Sequence, residues 1–177
     1  AWRKANSATA EEARRRLVQF VVLASIASSV ELVTRLALKG GNALHFVHGN
    51  FRSTLDLDFT ADGDFPDNVD AIRILLDTAL RGAEPQHQVK ARCQSVNRNP
   101  KKPEATLPTY AIKICFQMPG DRYYQNFGER KNFAEVVELE ISLNDILCET
   151  IHQTLSATTK PLRVCSLEDI LAEKLRA

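Results

Sequence analysis

The chain of 177 residues reads as an α/β (α+β) domain, and three observations carry that expectation. Between Leu36 and Val47 the apolar pattern changes from a contiguous run to helical spacing across Lys39-Gly40-Gly41, the signature of strand, glycine turn and short helix. Two later segments, Leu107 to Met118 and Ala134 to Leu143, alternate with the period of two that belongs to a strand with two different faces. Between and around these strands lie capped amphipathic helices, so helix and strand take turns along one chain.

The first helix is announced by Thr9 and Glu12, a capping box, followed by Leu17, Phe20, Val21 and Ala24 at helical spacing. Its polar side carries Arg14, Arg15 and Arg16, which read as a solvated face, with contact to an RNA backbone as the alternative. A second helical piece, Val30 to Arg35, leads into the strand at Leu36. After the glycine turn, Leu55, Leu57 and Phe59 alternate with Asp56 and Asp58, and a turn-rich segment from Ala61 to Asn68 closes that strand. A helix is expected over 69–81, with Gly82 as its C-cap. Strands at Gln86 to Val96 and Leu107 to Met118 flank a polar loop holding Lys101 and Lys102. With Lys90, Arg92 and Arg98 these form the most basic region and the first choice for a nucleic-acid surface. The loop from Pro119 to Phe133 interleaves Arg122, Tyr123, Tyr124, Phe127, Arg130 and Lys131, a pattern that can stack exposed bases and hold phosphates, although its aromatics are rather expected to fold back on the core. A short strand at Leu162 to Cys165 precedes a last helix, opened by a second capping box at Ser166 and Asp169.

At 44% hydrophobic and 25% charged residues the sequence supports one well-buried core, read as one domain over 1–177 with an N-terminal helix. A net charge of +1 excludes a general polyanion-binding character, so any nucleic-acid contact has to come from a local surface. The longest apolar run, Leu17 to Val30, is broken by Gln19 and three serines and is too short and polar to span a membrane. No signal-peptide pattern precedes it, which leads to the expectation of a cytoplasmic protein. The chain starts without methionine and stops inside a helical pattern, as a piece of a longer protein would. Cys93, Cys115, Cys148 and Cys165 show no metal-ligand or paired spacing, so buried free thiols are expected. His45 and His48 lie three apart but lack a third ligand nearby.

The chemistry concentrates between Leu36 and Thr60. Glycines in a tight turn take positive φ and allow a phosphate close to the backbone, so Gly40 and Gly41 form a candidate phosphate cradle. Asp56 and Asp58 fall on one strand face, where two carboxylates repel unless a cation lies between them. Hard divalent ions are commonly held by one or two carboxylates together with substrate phosphates. In Ala134 to Leu143, Glu138 and Glu140 likewise share a face, and a strand beside Asp56 and Asp58 would bring one of them to the same place.

The runs Lys39-Gly40-Gly41-Asn42-Ala43-Leu44 and Arg52-Ser53-Thr54-Leu55-Asp56-Leu57-Asp58-Phe59 resemble the signature of the AbiEii-type nucleotidyltransferases. These are toxins of toxin–antitoxin and abortive-infection systems within the polymerase-β-like superfamily. The closing string SLEDILAEKLRA is similar to the same family's segment after the catalytic strand. The resemblance implies a polymerase-β-like fold, a mixed twisted sheet flanked by helices, continued by a larger helical region beyond Ala177. It also implies Mg²⁺-dependent (or Mn²⁺-dependent) transfer of a nucleoside monophosphate from an NTP to an acceptor, with pyrophosphate leaving.

In that scheme Asp56, Asp58 and Glu140 hold metal, with Glu138 the alternative third carboxylate. Asp56, Asp58, Glu140 and Lys174 form the catalytic set, and Lys39, Gly40, Gly41, Asn42 and Arg52 bind the nucleotide. Two positions depart from the family pattern: Glu140 replaces a more usual Asp, and Asn42 a more usual Ser or Thr. The implied acceptor is RNA, such as a tRNA end, and the implied partner is a cognate antitoxin protein. A small-molecule or protein acceptor is the first alternative, and a non-catalytic nucleotide- or partner-binding member of the fold is the second.

Overall fold

The computed structural model describes residues 9–46, 54, 56–102, 104, 106–143, 149–154 and 160–176. Along the chain these are α1 (Ala10–Ser28), α2 (Val30–Val33), β1 (Leu36–Lys39), α3 (Gly40–Phe46), β2 (Asp56–Ala61), α4 (Val69–His87), β3 (Lys90–Asn99), β4 (Thr109–Gln117), β5 (Val136–Leu143), β6 (Thr150–Gln153), β7 (Leu162–Cys165) and α5 (Leu167–Arg176). The strands form one mixed sheet in the order β3-β4-β5-β2-β1-β7-β6. Two pairings are parallel, β2 with β5 and β1 with β7, and the rest antiparallel.

Strand alternation divides the sheet into a covered face and an open one. Leu57 and Phe59 of β2, Val137, Leu139 and Ile141 of β5, and Tyr110, Ile112 and Ile114 of β4 share one core with Val18, Val21, Leu23 and Ile26 of α1 and with Ile72, Leu76 and Leu80 of α4. Burying such side chains contributes about 1.5–3 kcal/mol each, and that burial sets the register of every strand it touches. The residues in between, Asp56, Asp58, Glu138, Glu140 and Lys113, emerge on the opposite face.

The expected capping box at the start of α1 is present: the Thr9 hydroxyl accepts from the Glu12 amide at 3.1 Å and the Glu12 carboxylate from the Thr9 amide at 2.7 Å. Asn68 caps α4 through two backbone amides, both at 2.9 Å. Three expectations need correction. Helix α4 does not stop at Gly82 but runs on to His87 and ends at Gln88 in the left-handed region, φ 55°. Ala83 continues the buried stripe, and that packing outweighs the ~1 kcal/mol helix cost of an interior glycine. As a result β3 begins at Lys90 rather than Gln86, and it extends to Asn99, into what read as loop. Strand β6 was not foreseen; it is four residues at the sheet edge with three of them exposed, too short and polar to leave an alternation signal.

The third correction concerns the arginine run, which is no solvated face. Arg14 pairs with Asp121 and Glu135, Arg15 with Glu11, and Arg16 is buried. The basic region at the β3–β4 hairpin keeps Lys101 and Lys102 exposed. Arg98 is spent on Asp67 at 2.8 Å and on the carbonyls of Pro100 and Lys102. The aromatics of residues 119–133 do fold inward as expected: Phe127 and Phe133 are buried with Cys115, flanked by Tyr123 and Val136.

Candidate active site

Parallel pairing of β2 with β5 sets Asp56 beside Glu138 and Asp58 beside Glu140. Adjacent strands lie about 4.8 Å apart, so four carboxylates occupy two neighbouring rungs of the open face. Their surroundings differ. Glu138 lies opposite Lys113 of β4, whose ammonium is 3.4 Å from it. Glu140 lies opposite Ala111, which offers no cation. Partial burial, and secondly the charge of Glu138, push the Asp56 carboxyl above its ordinary range, with Arg15 of α1 opposing. A carboxylate so disfavoured is one that gains from a cation beside it.

The glycine turn meets this strand directly. Lys39, at the end of β1, pairs in register with Asp58, and Gly40 follows with φ +69°. A side chain at Gly40 would overlap the Asp58 carboxylate: its Cβ would fall 3.0 Å from Cγ and 3.1 Å from Cβ of Asp58. Gly41 is similarly crowded, with its Cβ position lying against the Thr54 side chain. The glycines are therefore required first by the approach of β2 to the turn.

Asn42 has its side chain turned inward and is fully buried. Its amide nitrogen donates to the carbonyls of Thr54 and Asp56, and its oxygen accepts from Arg16 at 2.6 Å. Gln19 accepts a second bond from Arg16 at 2.8 Å and reaches the Thr54 carbonyl at 3.4 Å. Arg16, Gln19 and Asn42 thus form a polar brace from α1 to the start of β2, setting where Asp56 begins. Only the backbone of Asn42 is left to meet a phosphate. Arg52 lies outside the described residues, as do His48 and Cys148.

Helix α5 completes the arrangement. Lys39, Gly40, Gly41, Asp58, Glu140, Ile170 and Lys174 line one cleft of about 310 Å³, within the size range of small-molecule sites. A second, smaller cleft of about 150 Å³ is lined by Asp56, Asp58, Asn97, Lys113, Glu138 and Glu140 among others. Asp58 and Glu140 line both.

Residues expected from Lys39 to Lys174 are therefore brought together from β1, α3, β2, β5 and α5. The structure adds four neighbours to the site: Arg15, Arg16, Gln19 and Lys113. Two left a trace in the sequence. Arg16 and Gln19 are spaced i, i+3, which puts them on one helix face, and Gln19 interrupts an otherwise apolar run.

Cys93, Cys115 and Cys165 are buried free thiols as expected, and burial pushes the Cys93 thiol far up and raises that of Cys115. Among the described residues no group of three or more His, Cys, Asp or Glu side chains is arranged to hold a metal ion by itself. No helix among them is long and apolar enough to cross a membrane.

Comparison with known proteins agrees with this fold. Three solved structures superpose on nearly the whole chain. A Helicobacter pylori protein assigned as a nucleotidyltransferase matches with a TM-score of 0.58 and 18% identity, covering 96% of this chain and 60% of its own. JHP933, also from H. pylori, gives 0.57 and 17%, with coverages of 94% and 57%. MenT4, a nucleotidyltransferase toxin of Mycobacterium tuberculosis, gives 0.55 and 17%, with coverages of 98% and 56%. The chain thus spans somewhat over half the length of each, and what they share with it is the nucleotidyltransferase fold. No curated protein matches the sequence significantly. The model of the AbiEii nucleotidyl transferase toxins of type IV toxin–antitoxin systems matches residues 21–177, and the chain belongs to that family.

Proposed function

We propose that this protein transfers a nucleoside monophosphate from an NTP to a hydroxyl of an RNA acceptor, such as a tRNA end, in the cytoplasm, and that a cognate antitoxin protein restrains it. The observation that carries this reading is the single cleft that gathers Lys39, Gly40, Gly41, Asp58, Glu140 and Lys174.

The reaction forms a bond between the acceptor oxygen and the α-phosphorus as the bond from that phosphorus to the bridging oxygen breaks, releasing pyrophosphate. Little covalent work falls to the protein, which has to position the groups and offset charge. Lys39 and Lys174 both line the cleft and supply positive charge to the triphosphate. Gly40 and Gly41 expose bare backbone there, so phosphate oxygens approach amide groups without meeting a side chain.

The donor set suits a hard divalent cation. Asp56 and Asp58 supply two carboxylates, desolvation and then the charge of Glu138 disfavour the ionised form of Asp56, and substrate phosphates would supply the further oxygen ligands that Mg²⁺ prefers. Bound there, Mg²⁺ or Mn²⁺ would neutralise charge on the reacting and leaving oxygens. Glu140 is the better third carboxylate, because Glu138 is engaged by Lys113 while Glu140 faces both clefts. Glu140 takes the acceptor proton or shares the cation.

The reading is tested by incubating the protein with Mg²⁺, each radiolabelled NTP in turn and total RNA. Label is expected in RNA with one or more NTPs and none with Asp56→Ala. If neither RNA nor the protein itself acquires label with any NTP, the enzymatic reading fails and a non-catalytic binding role takes its place.

A further inference from the structure

The open face of the sheet continues past the carboxylates, and what lies there is opposite in charge. Along β4 and β5 the pair Lys113–Glu138 is followed on the same face by the pair Cys115–Val136, about 7 Å further on. Residues 119–133 fold onto that second pair through Phe127 and Phe133. The outer surface of this loop is cationic. Arg130 and Arg122 both lie over the Tyr123 ring, at 3.9 and 5.1 Å, and Lys90 lies over Tyr124 at 4.7 Å. Lys131 is exposed beside them. Arg92 ties the loop down by donating to the carbonyls of Arg130 and Lys131.

The local carboxylates do not cancel this charge. Asp121 and Glu135 are turned to Arg14, and Glu129 accepts from Asn126. Among the described residues none of Lys90, Arg122, Arg130 and Lys131 is ion-paired, whereas Arg14, Arg35, Arg98 and Arg163 each are. In a chain of net charge +1, this is a local concentration of cations set in line with the acidic site. Arginines stacked on aromatic rings present a flat outer face to an unstacked base and hydrogen-bond donors to a phosphate.

We propose that the 119–133 loop is the acceptor-binding surface: it takes the phosphodiester backbone of a single-stranded polynucleotide and aims the terminal hydroxyl along β4 and β5 at Asp56 and Glu140. This rests on the nucleotidyl-transfer reading above and supplies what that reading lacks, a surface on which the acceptor lies. The acidic rungs themselves repel a phosphate backbone, so the strand is held beyond them and only its end enters.

The test is fluorescence anisotropy of a fluorescein-labelled single-stranded RNA, and of the DNA of the same sequence, with no NTP present. Wild type is expected to bind, with an affinity that falls as salt rises. The double variant Arg122→Glu/Lys131→Glu should bind at least ~10-fold more weakly and with a shallower salt slope, since each lost phosphate contact on a single strand removes about 0.7 from it. Arg122→Gln/Lys131→Gln, which only neutralises, should fall between, and Lys101→Glu/Lys102→Glu on the β3–β4 hairpin should bind like wild type. RNA binding tighter than DNA assigns the surface to an RNA end, and the reverse order assigns it to a DNA end.

The proposal is overturned if wild type binds neither strand, if the loop variants bind as wild type does, or if the hairpin variant loses as much as they do. Because no NTP is used, the two readings fail separately. RNA held at the loop without transfer leaves the surface standing and the enzyme reading fallen. Transfer to some other acceptor without strand binding does the reverse.

Discussion

Gly40→Ala is the most informative single perturbation, because the same chain contains its control. Gly40 and Gly63 both have left-handed backbone, φ +69° and +62°. An added methyl costs about 1–2 kcal/mol in that region, partly offset by ~0.4–1 kcal/mol from a stiffer unfolded chain. Around Gly63 nothing lies within 4 Å of the new Cβ, whereas at Gly40 the Asp58 carboxylate occupies its place. Gly63→Ala should therefore lower Tm by only about 2–4 °C, the equivalent of roughly 1 kcal/mol in a domain of this size, and leave transfer as it was. Gly40→Ala carries the same backbone cost and in addition moves Asp58 by roughly 1 Å, a misplacement worth on the order of 10²-fold in rate. The assay is differential scanning fluorimetry alongside NMP transfer for both variants. Equal transfer by Gly40→Ala and Gly63→Ala would refute the claim that this glycine exists to seat Asp58.

Other outcomes follow from the same site. Glu140→Gln should reduce transfer at least ~100-fold while Glu138→Gln stays within ~10-fold, measured as label per minute; the reverse order would make Glu138 the third carboxylate. Arg16→Leu leaves the Asn42 oxygen buried without its donor and should cost about 1–3 kcal/mol, read from urea midpoints, with a loss of transfer since β2 loses its brace. Lys174→Ala, at an exposed position, should leave Tm within a degree or so of wild type while weakening NTP binding; unchanged nucleotide affinity by calorimetry would remove Lys174 from the site. Stability toward acid is set by Asp67, held below its usual range by Arg98 and then by the Tyr110 hydroxyl, and by Asp121, held low by Arg14. Because their folded values are depressed, the stability they provide is complete above the unfolded Asp value of ~3.9 and disappears as pH falls through the folded values. Urea midpoints should thus be flat near neutrality and fall below about pH 4, and Asp67→Asn should flatten part of that fall.

Much of this architecture could be read from residue order, for reasons specific to each part. The strand carrying Asp56 and Asp58 and the strand carrying Glu138 and Glu140 alternate cleanly because one face of each is wholly buried, and burial is what writes a period of two. Thr9 and Asn68 mark helix starts because capping is local. Helix α4 was harder: Gly82 is a common stop signal, and only the tertiary contact of Ala83 with the core overrides it. The brace made by Arg16, Gln19 and Asn42 joins residues 35 positions apart in its longest bond, and no local rule links them. Three arginines in succession look alike, yet one pairs with Asp121, one lies near Asp56 and one is buried, a difference set by helix rotation against the sheet.

Strand β2 is interior, paired with β5 on one edge and β1 on the other, and this restricts how the family segment can change over time. Its odd-numbered residues, Leu57 and Phe59, answer to the core, and its even-numbered ones, Asp56 and Asp58, to the reaction. Substitutions on either face can accumulate without disturbing the other, so stability and chemistry drift as nearly separate traits. A change of length within the strand has no such freedom, because one inserted residue would exchange the two sets and surrender both at once.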